Sequence, residues 1–395
     1  MERRTRTYLA GRFADYYRGT AIQLPPAAAD REWGHIPFTG GDGTTMVRHQ
    51  SLLGMPGGPG ELGSFLADES PQHVYFSAAR YDDPHDRTMA EKGWNGADLV
   101  FDLDADHLPG VDPETATYTE MLAACKGALE DLLDVLTRDF GVRDDEMEIV
   151  FSGGRGYHVH VRREGLRGLD SAARREIVDY VRGVRIDEDG LIAKRPNERG
   201  TLQKRIRAEG GWGRRVHERL VDYTETLREM SETAALERLQ QLDGVGEKTA
   251  QTIYGVLERN PEGVREGNVE LGPGAGTLVR ALAERVLDEE TAPIDEPVTT
   301  DVRRLIRLPG SLHGGTGFVV RRLDRESVAG FEPTRDAVAN RFRGQRVMVD
   351  VTDPGPVPVG EDGDDSFRLS EGTQSVREFV GVFLLARGRA EKTTG

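Results

Sequence analysis

Cysteine is almost absent from this 395-residue sequence, which contains only Cys125. A single thiol excludes a disulfide within the chain, a zinc site built from several cysteines, and a four-cysteine iron–sulfur cluster. Apolar runs are also short, and no segment approaches the ~20 apolar residues that a membrane-spanning helix needs. The first residues, MERRTRTYLAGRF, lack the apolar segment of a secretory signal. We therefore expect a cytoplasmic protein that does not bind a membrane.

Lysine is also scarce, because only six of the 52 basic residues are Lys. The 68 acidic residues give a net charge of −16, which by itself favours a protein that does not bind nucleic acid. However, a lysine-poor and acidic composition resembles that of proteins from halophilic archaea, whose acidic surfaces maintain solubility in concentrated salt. Counterion release contributes less to binding at such salt, so local arginine clusters would matter more than net charge.

Hydrophobic periodicity predicts a mixed α/β chain. Strand patterns at 98–104, 146–152 and 157–162, with leucines at helical spacing over 126–140, indicate a βαβ-like unit. Residues 165–290 are rich in Arg, Glu, Leu and Ala, show little strand pattern, and indicate helices. Strand patterns return after residue 298. We predict a discontinuous α/β domain (1–165 and 290–355), a helical insert (166–289), and an acidic linker with a C-terminal helix (356–395).

The first candidate site is the acidic segment FDLDAD at 101–106. Residues two apart on a strand share a face, so Asp102 and Asp104 could together hold one or two hard cations. Asp106 would share that face only if the strand continued, and the following His-Leu-Pro indicates a turn. The alternative is a solvated acidic strand end, which the pattern taken alone favours in so acidic a protein.

The second candidate is the segment FSGGRGYHVHV at 151–161, which follows a predicted strand. Its glycines allow the backbone N–H groups to approach an anion, and Arg155 could bind phosphate with two hydrogen bonds. His158 and His160 fall on one strand face, where either could contact a phosphate. The alternative is a hairpin turn with two incidental histidines, but the clustering of Ser152, glycines, Arg155 and histidine disfavours it.

The third candidate combines Asp295 with the segment LIRLPGSLHG at 305–314. Arg307 and His313 suit phosphate binding, and Asp295 is a possible third metal ligand. Asp301 competes with Asp295 for that role on spacing alone. A solvated loop would also explain this segment.

A fourth feature is LDGVGEKTA at 242–250, between two predicted helices. It resembles a helix-hairpin-helix motif, in which a Gly-x-Gly turn presents backbone N–H groups at a helix N-terminus to a DNA phosphate. A tight turn with glycines for close packing is the equally supported alternative.

Taken in order, FDLDAD, SGGRGYHVHV and RLIRLPGSLHGGTG resemble the catalytic small subunit of archaeo-eukaryotic DNA primases. The resemblance implies the α+β catalytic fold of that family, a mixed sheet with flanking helices, and template-directed primer synthesis for DNA replication by two-metal nucleotidyl transfer. It also implies a heterodimer with an iron–sulfur large subunit, a single-stranded DNA template, and nucleoside triphosphate substrates.

The resemblance also implies a role for each matching residue. Asp102 and Asp104 match the paired carboxylates that hold two Mg²⁺ or Mn²⁺ ions, and Asp295 matches the third carboxylate by its separation from His313. On that spacing Asp301 is structural. The residues that match nucleotide- or phosphate-binding positions are Arg48, Ser152, Arg155, His158, Arg307 and His313.

The sequence departs from the family in one respect. The family usually carries a zinc site of cysteines and histidines just after the paired carboxylates. Here the stretch 107–125 offers only His107 and Cys125, whereas structural zinc normally takes four protein ligands. We therefore expect no zinc, or at most a degenerate site.

Three other functions stay open at this stage. A repair polymerase of the same superfamily would extend primers without starting them. A non-catalytic DNA-binding subunit would not need Asp102. A metal-dependent nuclease would degrade DNA in the absence of nucleotides.

Overall fold

The computed structural model describes residues 1–38, 45–49, 59–184, 186, 188–196, 200–359 and 368–394. The chain forms two compact units. The first unit contains Met1–Leu129, Val142–Val178 and Pro293–Gly395, and the second contains Glu130–Gly141 and Asp179–Ala292.

Strands and helices are numbered in chain order. The strands are β1 (Trp33–Ile36), β2 (Val47–His49), β3 (His73–Ser77), β4 (Ala79–Tyr81), β5 (Trp94–Ala97), β6 (Leu99–Asp104), β7 (Met147–Phe151), β8 (Gly156–Val161), β9 (Ile192–Pro196), β10 (Leu202–Ile206), β11 (Leu305–Arg307), β12 (Arg321–Leu323), β13 (Arg346–Val351), β14 (Gly355–Pro356), β15 (Arg368–Leu369), β16 (Gly372–Arg377) and β17 (Ala390–Lys392). The helices are α1 (Arg3–Arg18), α2 (Pro59–Glu69), α3 (Met89–Lys92), α4 (Tyr118–Arg138), α5 (Glu164–Arg167), α6 (Ser171–Val181), α7 (Glu188–Leu191), α8 (Gly211–Arg228), α9 (Glu232–Leu239), α10 (Glu247–Arg259), α11 (Pro261–Arg265), α12 (Pro273–Glu290), α13 (Glu296–Thr300), α14 (Pro333–Asp336) and α15 (Glu378–Ala386). No helix of the described residues is long and apolar enough to span a membrane.

A four-stranded sheet with the order β12-β7-β8-β6 lies at the centre of the first unit. β8 pairs antiparallel with both β6 and β7, so β6 and β7 run parallel and α4 connects them. The predicted βαβ-like unit is therefore present, with β8 inserted between its two strands. Every residue of β8 is buried, as a central strand covered on both faces requires.

A second sheet has the order β11-β3-β1-β2 and brings distant segments together. Phe76 of β3 stacks on His160 of β8, with ring centroids 5.9 Å apart, so the two sheets are in contact. His160 is fully buried in this contact. It therefore belongs to the core and not to a phosphate site, which the sequence had left possible.

The two sheets are joined around one buried charge, the carboxylate of Asp98, directly before β6. Its oxygens lie 2.7 Å from Arg31 Nη2, 3.2 Å from Arg80 Nη2 and 3.3 Å from Arg162 Nε. Burial acts to raise the pKa of Asp98, but the three guanidiniums outweigh it and lower the pKa below its ordinary value. Asp98 is therefore a charged group in the core whose desolvation is offset by three cations.

The C-terminal region forms a third sheet, β16-β13-β17, covered by α15. We predicted a C-terminal helix after the linker, and α15 is that helix. The strands β16 and β17 on either side of it were missed, because short polar strands such as GTQSVR carry no apolar alternation. Part of the predicted acidic linker, 360–367, lies outside the described residues.

The second unit is built mainly from α8, α9, α10 and α12 around an apolar core that includes Trp212, Leu220, Leu239, Ile253 and Leu282. It also contains a two-stranded hairpin, β9–β10. The prediction of helices alone for this region was therefore incomplete, since the hairpin strands IAKRP and LQKRI are too polar to show a strand pattern. The predicted boundaries of a helical insert, 166–289, stay a prediction.

We expect Asp98→Ala to lower the free energy of unfolding by about 3–5 kcal/mol, because it leaves the fully buried guanidinium of Arg31 without its counter-charge. Urea unfolding in concentrated KCl would measure this loss. Asp324→Ala removes an exposed carboxylate and is the matched control, with an expected change within about 0.5 kcal/mol. Equal effects of the two substitutions would contradict the importance of the Asp98 network.

Candidate active site

The acidic strand β6 carries the first two candidate ligands. Asp102 and Asp104 alternate with the buried residues Phe101 and Leu103, so both carboxylates lie on the same face of the strand, as predicted. The strand ends there because Asp104 accepts a hydrogen bond from the Asp106 N–H at 3.3 Å and begins a 3₁₀ turn. Asp106 consequently leaves the strand.

His158 lies directly opposite Asp102 on the neighbouring strand β8. Its Nε2 is 3.4 Å from Asp102 Oδ1. Burial, followed by the positive charge of Arg307, lowers the pKa of His158 well below its ordinary value. His158 is therefore neutral near pH 7 and can donate one hydrogen bond, and its Nδ1 has no hydrogen-bond partner among the described residues.

The glycine-rich loop between β7 and β8 fits closely against its surroundings. Gly153 has φ +78°, and a Cβ there would lie 2.6 Å from Cβ of His313. A Cβ at Gly156 would lie 1.8 Å from the Leu103 carbonyl oxygen, so only glycine permits this approach to β6. The loop thereby contacts both the acidic strand and the His313 segment.

His313 lies behind this loop and is half-buried. Its Nδ1 is 3.1 Å from Thr316 Oγ1, and Thr316 in turn donates to the Gly153 carbonyl at 2.6 Å. His73 packs edge-on against the His313 ring, with centroids 4.8 Å apart. His313 therefore supports the glycine-rich loop.

Arg307 of β11 crosses to the same loop. Its Nη1 donates to the Ser152 carbonyl at 3.1 Å, and its guanidinium lies over the Tyr75 ring, 5.7 Å from the centroid. Its Nε is buried without a hydrogen-bond partner among the described residues. A guanidinium that is held on one side and unsatisfied on another is suited to bind an oxyanion.

Several of these side chains border one cavity of about 420 Å³. Of the predicted residues, it is lined by Arg48, Asp102, Asp104, Ser152, His158 and Arg307. Segments separated by more than 200 residues thus meet at one place, and the cavity combines an acidic wall with a basic wall.

Three other residues of the cavity were missed or discounted by the sequence analysis. Arg303 and Arg304, just before β11, line the cavity, and the arginine pair preceding LIR was an available signal. Asp301 also lines it, although its spacing had assigned it a structural role. Asp301 Oδ1 accepts a hydrogen bond from the Arg303 N–H at 2.9 Å, so it shapes the turn that positions the arginines.

The remaining predicted residues lie beside the cavity. Asp295 directly precedes α13, and its N–H donates to the Asp102 carbonyl at 2.8 Å. Arg155 forms an ion pair with Asp106. Neither side chain borders the cavity, nor does that of His313.

The electrostatics of Asp102 indicate a site for a cation. Burial, followed by the negative charge of Asp104, raises the pKa of Asp102 to about 7, and Asp295 adds to the shift. The guanidiniums of Arg307 and Arg304 lower the pKa but do not outweigh burial and the neighbouring carboxylates. Oxygen ligands such as these carboxylates suit Mg²⁺ and Mn²⁺. Among the described residues no group of three His, Cys, Asp or Glu side chains is arranged as a complete metal site. Asp102 and Asp104 therefore fit as part of a site.

The loop that follows the acidic strand is stabilised by short-range polar contacts. Thr117 and Glu120 cap the start of α4 reciprocally, with the Thr117 N–H donating to Glu120 Oε2 at 2.7 Å and the Glu120 N–H to Thr117 Oγ1 at 3.2 Å. Asp112 accepts hydrogen bonds from Glu114 and Thr115. Cys125 is buried in α4, and burial raises the pKa of its thiol.

Comparison with known proteins decides the family. A family model described as the DNA primase small subunit matches residues 101–325. The chain is 57% identical over 393 residues to the DNA primase small subunit PriS of Halorubrum lacusprofundi, and the match covers 99% of both chains. The chain belongs to the DNA primase small subunit family. The similarity extends to the PriS proteins of Natronomonas pharaonis (52% over 398 residues) and Methanococcoides burtonii (38% over 403 residues), each covering 99% of both chains.

Family membership confirms the resemblance stated from FDLDAD, SGGRGYHVHV and RLIRLPGSLHGGTG, including the likeness to proteins of halophilic archaea. It also confirms the predicted mixed fold of the primase small subunit. The matched region, 101–325, contains all the predicted site residues except Arg48.

The raised pKa of Asp102 predicts a specific pH dependence of stability. Because its pKa in the folded state is raised from 3.8 to about 7, the stability that the carboxyl contributes is fully present below 3.8 and is lost as the pH rises through 7. Asp102→Asn removes this loss. We expect the variant to be more stable than wild type by about 1–3 kcal/mol near pH 8 and the difference to disappear near pH 4.

Thermal or urea unfolding in metal-free buffer at several pH values would measure this difference. Asp324→Asn, at an exposed position, is the control and is expected to show no such trend. A constant difference between Asp102→Asn and wild type at all pH values would argue against the shift.

Proposed function

We propose that this chain is the catalytic subunit of a DNA primase and synthesises short primers on single-stranded DNA by two-metal nucleotidyl transfer. The observation that supports this most directly is the cavity that Asp102, Asp104, His158 and Arg307 line together, with Asp102 directly opposite His158 on the neighbouring strand. Catalysis of phosphoryl transfer requires both charges, because cations must be held while the triphosphate is neutralised.

Asp102, Asp104 and Asp295 would hold two Mg²⁺ or Mn²⁺ ions. When bound, such ions lower the pKa of the attacking 3′-hydroxyl and neutralise the charge that develops on the leaving pyrophosphate. Asp102 and Asp104 line the cavity directly, and the chain at Asp295 is fixed to β6 by its hydrogen bond to the Asp102 carbonyl.

The basic wall of the cavity would bind the triphosphate. Arg307 is positioned by Ser152 and Tyr75, and its unsatisfied Nε is available to an anion. His158 is neutral and can donate a hydrogen bond to a phosphate oxygen without repelling the cations. Arg48 lines the same cavity from β2. We assign Ser152 and Arg155 to the loop that contacts the phosphates, and His313 to the support of that loop.

Because base pairing with the template selects the nucleotide, few base-reading residues are needed.

We further propose that the chain works in the cytoplasm as a heterodimer with an iron–sulfur large subunit, since its single cysteine cannot hold such a cluster. The absence of zinc and the DNA-binding role of residues 242–250 stay predictions. The latter residues comprise the end of the connection between α9 and α10 and the first turn of α10, with Gly244 at φ +70° and Gly246 directly before the helix.

We expect Asp102→Ala to reduce primer synthesis by at least about a thousandfold, because it removes ion ligation that is worth several kcal/mol in the transition state. Asp295→Ala should cause a comparable loss, and Asp301→Ala a smaller one. The assay supplies labelled nucleotides and a single-stranded template without a primer, in concentrated KCl with Mg²⁺ or Mn²⁺, with and without the large subunit.

The same assay separates the rival functions. Extension of supplied primers without initiation would indicate a repair polymerase, and degradation of DNA without nucleotides would indicate a nuclease. If folded wild-type protein binds DNA but makes no product even with the large subunit, a non-catalytic role replaces the proposal.

Metal binding can be measured independently of catalysis. We expect Mn²⁺ to raise the melting temperature of wild type, because a ligand at about 100 times its Kd stabilises the folded state by ~2.7 kcal/mol. Asp102→Asn should lose most of this shift, whereas Asp324→Asn should retain it. An equal shift in all three proteins would place the bound ion elsewhere.

A further inference from the structure

The hairpin β9–β10 of the second unit is strongly basic. Its described residues and those adjoining it, 192–196 and 200–207, include five basic side chains (Lys194, Arg195, Lys204, Arg205 and Arg207) and no acidic one. This local excess occurs in a chain whose net charge is −16 and which contains six lysines. Such a reversal of sign indicates a surface for a polyanion.

Two lysines of this hairpin lie directly opposite each other. Lys194 pairs with Lys204 across the strands, and both are exposed. Arg195 and Arg205 are ion-paired with Glu209 and Glu266, but neither lysine has a carboxylate partner among the described residues. Like charges directly opposite each other destabilise a strand pair, so the arrangement has a structural cost that an anionic ligand would remove.

The base of the hairpin is fixed to the second unit. Ile206 is buried and its N–H donates to the Gly267 carbonyl at 3.0 Å, while the Val269 N–H donates to the Lys204 carbonyl at 3.1 Å. The Lys204 N–H donates to Glu270 Oε2 at 3.0 Å. The unit therefore presents the lysine pair on anchored backbone, which limits the ordering entropy of binding.

The face that carries the lysine pair also has apolar surface on both sides. Toward the tip, Leu202 pairs with Pro196, and Leu202 is 62% exposed. Toward the base, Lys204 borders a cavity of about 470 Å³. Its lining includes the apolar residues Ile192, Val279 and Leu287 and the charged residues Glu270, Arg280 and Glu284. Cations next to apolar surface suit a strand whose base faces are open, whereas a duplex keeps its base faces stacked.

We infer that this hairpin face binds a single strand of nucleic acid, with Lys194 and Lys204 contacting its phosphates and Leu202 contacting its bases. The inference rests on the proposed function, because a primase must hold single-stranded template. It assigns part of that binding to the second unit, and neither lysine nor Leu202 belongs to the proposed catalytic cavity.

The first test is Lys194→Gln combined with Lys204→Gln in the full chain. Fluorescence anisotropy with labelled oligodeoxythymidine would be measured over a series of KCl concentrations. Since each phosphate contact on a single strand contributes about 0.7 to the slope of log K against log salt, the slope should decrease in magnitude by about 1.4, and affinity at the lowest salt should fall about tenfold. Arg228→Gln with Arg259→Gln removes the same charge from exposed helix ends of the second unit and should leave the slope unchanged.

The second test is Leu202→Ser. It should weaken binding several-fold without changing the salt slope, because a contact with bases releases no counterions. Far-ultraviolet circular dichroism and thermal melting would confirm that each variant is folded. An unchanged slope in the lysine variant, or a loss equal to that of the arginine control, would overturn the inference. Equal losses of affinity for single-stranded and duplex DNA would also overturn it. So would a lysine variant that no longer binds the large subunit but binds DNA as wild type does.

A failure of this inference can be told apart from a failure of the proposed function. Primer synthesis at saturating template measures the activity of the site that contains Asp102. If wild type synthesises primers and the lysine variant binds DNA as wild type does, only the inference about the hairpin is rejected. Absent synthesis by wild type, with the predicted change of slope in the variant, would reject only the catalytic proposal.

Discussion

The buried carboxylate of Asp98 is the contact on which the geometry of the candidate site depends. Asp98 directly precedes β6, and its carboxylate forms ion pairs with Arg31, Arg80 and Arg162, which come from three different segments of the chain. Arg31 also donates to the carbonyls of Ser77, the last residue of β3, and Ala78, so one charge network connects both sheets. Since the side chains of a strand alternate strictly between its faces, fixing position 98 also fixes which face carries positions 102 and 104.

The candidate site places carboxylates and guanidiniums on different walls of one cavity. The carboxylates of Asp102 and Asp104 lie on β6, and the guanidiniums of Arg303, Arg304 and Arg307 lie on and before β11. Burial keeps His158 neutral between them. A neutral hydrogen-bond donor at this position permits cations and phosphates to be bound side by side, which a charged histidine would disfavour. Although the chain is acidic overall, one wall of the cavity is therefore basic.

Sequence reasoning predicted the parts of the site that depend on local pattern. Strand alternation was enough to place Asp102 and Asp104 on one face, and the strand–glycine–strand pattern was enough to locate the loop at 152–156. It could not show that Asp98, four residues before Asp102, is buried among arginines, because burial depends on segments distant in sequence. The polar strands β9, β10 and β17 were missed for a similar reason, since their pairing and not their hydrophobicity defines them.

The pairing of β11 with β3, with Leu305 opposite Ser77, has a consequence for synthesis of the protein. The strand that delivers Arg307 to the cavity leaves the ribosome only after more than three-quarters of the chain has been made. Contacts of such sequence separation form late, because the intervening chain must first be ordered. During translation at about 5–20 residues per second, β3 would therefore wait many seconds with its β11-facing edge unpaired. For a chain of this topology the order of events on the ribosome, and any chaperone that shields that edge, becomes part of how the catalytic unit is made.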